Sequence, residues 1–185
     1  AVVNGEKTVE RHDPSAPPEE RWQLVLKNGR TPSSADLEKY REQRRRGPSG
    51  HRPQLNEWID PSTLRIRSHD EARITCEFRM KSGDSESRPM LDQIKGTLVV
   101  LKDAPAVEML EMVNAGRIKH GATFSLSEFK TRVQFHRDPI RGDPLPVSLT
   151  SRIRGRALLV KSLNQDATYH LSDFQRMIPM SSEGK

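Results

Sequence analysis

Glu71-Ala-Arg-Ile-Thr-Cys-Glu-Phe-Arg-Met80 alternates without a break: Ala72, Ile74, Cys76, Phe78 and Met80 fall on one side, and Arg73, Thr75, Glu77 and Arg79 on the other. A period of two is the repeat of an extended chain, so the stretch reads as a strand with one apolar and one wet face. Outward from it, residues 62–80, 94–113, 118–136 and 147–173 read as antiparallel strands with matched ends. Leu64 and Ile66 alternate with Arg65 and Arg67, and Ser68-His-Asp-Glu71 makes a hairpin turn into the quoted strand. Leu91 to Lys95 reads as a helical turn. Gly96 to Lys102 and Ala106 to Val113 then pair around Asp103-Ala-Pro105.

Further on the pattern shifts phase. Phe124 and Leu126 occupy even positions, whereas Phe129, Val133 and Phe135 occupy odd ones, which predicts a bulge at Ser127-Glu128. Val147 to Arg154, Arg156 to Lys161 and Thr168 to Phe174 read as three more strands. Before residue 62, Glu6 to His12 reads as a short edge strand, and Arg21 to Lys27 as a strand ending in the turn signal Asn28-Gly29. Thr31-Pro-Ser-Ser-Ala-Asp begins a helix near residue 32. Basic residues and Gly47 close it at Arg46. Its apolar stripe is thin, with Leu37 and Tyr40 as the main anchors, so it suits an edge rather than a core centre. Residues 47–56 read as loop, Trp58 and Ile59 as an anchor, and 177–185 as a disordered tail.

The expectation is one domain over residues 1–176, mainly β with some helix (α+β). Its form is a strongly curved antiparallel sheet or half-barrel with one or two helices covering its concave face. At 185 residues a single core is the default. Hydrophobic residues make up only 33% and charged residues 30%, above the usual ~25% of charge, so part of the chain must be solvated. The net charge of +6 and pI near 9.7 raise anionic partners. Acids nevertheless alternate with the bases along most strands, and Arg44, Arg45 and Arg46 with Arg52 form the one cluster. That cluster is a candidate contact for anionic head groups or a partner protein, against the plainer reading of a helix C-terminus favoured by its dipole.

Catalytic patterns do not surface. There is no G-x-S-x-G, P-loop or G-x-G-x-x-G, and the six histidines share no H-x-H or H-x-x-x-H spacing, so neither an enzyme, a metal site nor a cofactor is expected. Cys76, the lone cysteine, sits on the inward phase and reads as a small buried residue. No run approaches a membrane span. Two Trp, two Tyr and five Phe, most of them on apolar phases, leave little for stacking, and no nucleic acid is expected.

What remains is the apolar face itself. Trp22, Leu24, Ile74, Phe78, Leu98, Val100, Phe129, Val133, Phe135, Leu149 and Ile153 are candidate lining residues for an apolar or amphiphilic ligand, because no second amphipathic helix of any length is available to cover them. For each residue singly, ordinary core is the competing reading.

From Thr8 to Phe174 the chain also resembles a group of bacterial exported proteins of the LolA/LolB-like lipoprotein-localisation fold. The resembling residues are Thr8-Val-Glu-Arg-His-Asp-Pro14, Arg21-Trp22 with Leu24, Asn28-Gly29-Arg30 with Thr31-Pro32, and Tyr40. Further on they are Gly96-Thr97-Leu98, Arg154-Gly-Arg-Ala157 with Lys161-Ser162, and Ser172-Asp-Phe174. The chain departs from the carriers in its basic segment at 41–53 and in a first strand cut short at Ala1. The resemblance implies a half-barrel closed by helices, a concavity that takes a lipid or a lipoprotein acyl chain, and a periplasmic location. The alternative is a structural or protein-interaction module of the cell envelope that uses its sheet edge or its basic helix.

Overall fold

A computed structural model describes residues 1–46, 58–81, 88–103, 106–121, 123–138, 142, 144–157 and 161–174. The expected loop at 47–56, Arg52, the tip of the hairpin at Ala104-Pro105 and the tail lie outside them. The strands are β1 (Val2–Val3), β2 (Glu6–His12), β3 (Trp22–Lys27), β4 (Arg65–His69), β5 (Arg73–Arg79), β6 (Ile94–Leu101), β7 (Ala106–Asn114), β8 (Ile118–His120), β9 (Phe124–Arg137), β10 (Pro144–Ala157) and β11 (Lys161–His170). Helix α1 spans Ser34–Arg46, and a single turn, α2, spans Arg88–Leu91.

Among the described residues the eleven strands join one antiparallel sheet in the order β3-β2-β1-β11-β10-β9-β7-β6-β5-β4, with β8 beside β9. The sheet does not close on itself among the described residues, and β3 and β4 are its edges. The expected mainly β fold, a curved or open antiparallel sheet with little helix, is what the chain forms.

The register carries one cross-strand row through most of the sheet. Cys76 faces Leu98, Leu98 faces Leu110, Leu110 faces Val133, Val133 faces Leu149, and Leu149 faces Tyr169. Directly opposed residues share a face, so over β5–β11 one side of the sheet is apolar by construction and the other holds most of the charges. Leu110, at the middle of the row, is fully buried. The core gathers around it from Phe78, Ile94, Leu98, Met112, Ile118, Leu126 and Val133. Trp58, Met80, Met90 and Leu91 pack on the cluster, and Ile59 joins it after bridging to Met80.

Two glycines make this close packing possible. Phe78 lies across Gly96, where an added Cβ would fall 2.1 Å from the ring, so the aromatic fills the place of the missing side chain. Gly155 lets β10 approach β9 at the expected bulge, where Ser127 is left out between the pairs Arg154↔Glu128 and Gly155↔Leu126. Asn114 holds that bulge. Its Oδ1 accepts from the Phe129 N–H at 2.7 Å, and its side-chain N–H groups donate to the carbonyls of Gly116 (2.6 Å) and Ser127 (3.2 Å).

The boundaries differ from expectation in physically simple ways. Glu6–His12 is not an edge, because β1 and β3 flank it. β1 and β2 are joined by Asn4-Gly5, both at positive φ, the geometry that two-residue hairpins favour. The segments expected at 147–154 and 156–161 are not separate strands: β10 continues through Gly155 to Ala157, and β11 starts at Lys161. Ser172 to Phe174 lies past the end of β11, because the Val147 carbonyl takes its last bond from Leu171 N–H. The turn expected at 91–95 falls earlier, as α2, and Ile94 already belongs to β6. Helix α1 begins two residues later than expected, with Ser33 as its cap.

The close approach at Gly155 gives a test. An added methyl would sit 2.4 Å from the Ser125 carbonyl oxygen, so Gly155→Ala should lower stability by about 1–3 kcal/mol in urea unfolding. Gly116→Ala, with nothing within 4 Å of its new carbon, should change stability little.

Candidate functional site

All eleven candidate lining residues fall on the apolar face, since each pairs into that face through the register or lies two residues along the strand from one that does. They do not share one environment. Phe78, Leu98 and Val133 are 3%, 9% and 6% exposed and belong to the packed core. Ile74, Val100, Phe129, Phe135, Leu149 and Ile153 are half-buried around its margin. Leu24 is buried and Trp22 half-buried on β3, away from that cluster. The face is therefore filled over β5–β8, at Leu126 and Val133 of β9 and at Ala167 of β11, and only partly covered along β10 and at Tyr169.

Helix α1 lies on the same face, at the β3 end. Its cap is reciprocal: the Asp36 backbone N–H donates to Ser33 Oγ at 3.2 Å, and Asp36 Oδ2 accepts from Ser33 N–H at 3.1 Å and from its hydroxyl at 2.6 Å. The other oxygen of Asp36 takes the Lys27 ammonium at 2.8 Å, and Lys27 also reaches Glu6 at 3.2 Å. The Lys27 contact, followed by Ser33, holds the Asp36 carboxyl down at about 2, against an ordinary 3.8.

One turn further on, the Tyr40 hydroxyl donates to Glu10 Oε2 at 3.1 Å and accepts from Arg44 Nε at 3.2 Å. The Arg44 guanidinium is paired with Glu10 and lies 4.5 Å from the Trp22 ring and 5.3 Å from that of Tyr40. Trp22 in turn contacts the ring of His12 at 4.4 Å. Burial first, then the Glu10 carboxylate, pushes the Tyr40 hydroxyl up to about 12. Tyr169 on β11 is pushed up for the same two reasons, which places it in the field of this cluster.

This geometry changes the meaning of the basic cluster. Arg44 is committed to Glu10, Tyr40 and Trp22 and holds the helix down, so it is a docking residue and not a free head-group contact. Arg45 is exposed, Arg46 ends the helix, and Arg52 lies outside the described residues. Nothing local in the sequence tied Arg44 to Glu10, 34 positions away.

A depression of about 430 Å³ lies elsewhere, where β3 turns into α1, lined by Lys27, Asn28, Arg30, Thr31, Ser33 and Asp36. None of the eleven candidates lines it. Among the described residues no helix is long and apolar enough to cross a membrane. No family model, curated protein or solved structure matches the chain.

The docking contacts of α1 are polar, and they set its pH range. Tyr40 is raised from 10.0 to about 12 on folding, so its contribution is whole below pH 10 and is lost as pH climbs through about 12. Asp36 is lowered from 3.8 to about 2, so its contribution is whole above 3.8 and is lost as pH falls through about 2. Glu10→Gln should loosen the helix at neutral pH. Limited proteolysis within residues 34–46 and a change in Trp22 fluorescence check both points, and an unchanged cleavage rate in the variant would count against this docking role.

Proposed function

We propose that the chain is a non-enzymatic binding protein of the bacterial envelope, working in the periplasm, that takes a lipid or acyl chain against the half-covered part of its apolar face. The observation that carries this reading is the change in burial along one row. Leu110 and Val133 are buried, while Leu149 and Tyr169 on the next two strands are half-exposed, with Ile153 beside them. Helix α1 does not seal that region with apolar side chains: Leu37 and Tyr40 are half-buried, and residues 41–45 are exposed. Each methylene buried there contributes ~0.8 kcal/mol, so a chain of about sixteen supplies ~13 kcal/mol, enough for micromolar uptake after an association cost of about 5 kcal/mol. The resemblance to the LolA/LolB-like proteins supports the same occupant and the same compartment.

Mass spectrometry under native conditions should find lipid bound to gently purified protein, and a fluorescent fatty acid should respond to the protein and saturate. Ile153→Asp should abolish that response while the melting temperature stays near that of the parent, because Ile153 lies at the core margin. Phe78→Asp should unfold the domain, since that residue is 3% exposed. A clean apo mass together with a flat fluorescence titration sinks the proposal.

A second reading has one specific observation behind it. Edge strand β4 is exposed throughout, with Ile66 at 67% and Leu64 before it at 43%, which suits addition of a partner's strand. On that reading the chain is an interaction module of the envelope. Its test is amide exchange: β4 amides that stay unprotected at every concentration of envelope extract rule it out.

A further inference from the structure

The polar face of the sheet carries like charges in direct opposition. Arg79 on β5 faces Lys95 on β6, and Lys130 on β9 faces Arg152 on β10. Val113 lies between the two pairs, since Lys95 faces Val113 and Val113 faces Lys130. All four cations thus stand in one row across five neighbouring strands, roughly 20 Å wide at the usual strand spacing. Directly opposed like charges destabilise a sheet, so a surface that supplies negative charge would stabilise this row.

Internal acids only partly relieve the row. Glu111 takes Arg132 at 2.6 Å and Lys130 at 3.4 Å, Asp166 takes Arg152 at 3.2 Å and also Arg154, and Glu128 reaches Arg152 at 3.8 Å. Among the described residues Arg79 and Lys95 have no carboxylate partner. The same holds for Arg156 and Lys119, which stand on either side of Ser125, with Ser162 opposite Arg156 on its other flank. Arg152, Arg154 and Arg156 point to this face together, two residues apart along β10.

We infer that this face docks on an anionic lipid bilayer, the head-group phosphates supplying the charge that the row lacks. The breadth of the row favours a surface over a single extended chain. The cations are exposed and irregularly spaced, which mobile head groups accommodate and a fixed partner does not. The Phe side chains of β5–β10 all pair into the opposite face, so stacking of nucleobases has no platform here. Half-buried Val113 lies between the two pairs of the row, and half-buried Val99 and Met109 face each other four residues further along β6 and β7, beyond Thr97 and Glu111.

The test is co-sedimentation with vesicles of phosphatidylcholine alone and of phosphatidylcholine with ~30% phosphatidylglycerol, at low salt and at about 0.5 M salt. The protein should bind the anionic vesicles, ignore the zwitterionic ones and dissociate at the higher salt. Each cation near such a surface is worth about fivefold in partitioning, so Lys95→Glu with Arg156→Glu should weaken binding more than tenfold. Lys95→Glu alone should hold or raise the melting temperature, because Arg79 gains an opposite charge. Equal binding to both vesicle types overturns the inference, since acyl-chain uptake on the apolar face does not distinguish head groups. Unchanged binding by the folded double variant also overturns it. So does binding of poly-glutamate without binding of anionic vesicles, which would make the partner an acidic polypeptide.

Discussion

The whole arrangement depends on the unbroken register that sets Cys76, Leu98, Leu110, Val133, Leu149 and Tyr169 side by side across six strands. Because side chains alternate along every strand, fixing that row fixes the face of nearly every other residue, and a slip of one residue would invert the sheet. Burial of Leu110 and its neighbours makes such a slip costly. The same constraint that gathers apolar groups on one side concentrates the arginines and lysines on the other, so the two faces are products of one pairing scheme.

Much of this was legible because one-sided burial writes itself as alternation. The quoted strand at 71–80, the long runs after it, and the phase change at Ser127-Glu128 needed no information from elsewhere in the chain. The eleven lining candidates share a face for that reason. Alternation does not report depth, however. Phe78 and Ile153 look alike in sequence, yet one belongs to the cluster on which Trp58, Met80, Met90 and Leu91 pack while the other lies at the margin. The cover comes from short, irregular segments without a periodic signal.

Other features escaped for nameable reasons. Asn4-Gly5 is as good a hairpin signal as Asn28-Gly29, but β1 is only two residues long and offers no alternation to flank it. Asn114, which secures the bulge, is one polar residue at a strand end. Arg44 belongs by type to a solvated helix end, and only the fold brings Glu10, Tyr40 and Trp22 around it. Its charge counted towards a surface cluster in the sequence and is largely spoken for in the structure.

The shortness of β1 has a mechanical consequence. The hairpin β2–β3 and the helix docked on it join the larger part of the sheet through Val2 and Val3, which face Thr168 and Ala167, together with a pair of bonds between Asn4 and Asp166. β9 and β10, in contrast, are paired over almost their full length. A seam of two residues beside one of more than a dozen divides the sheet into parts of unequal cooperativity, and the smaller part is the one able to open and reclose while the larger stays folded.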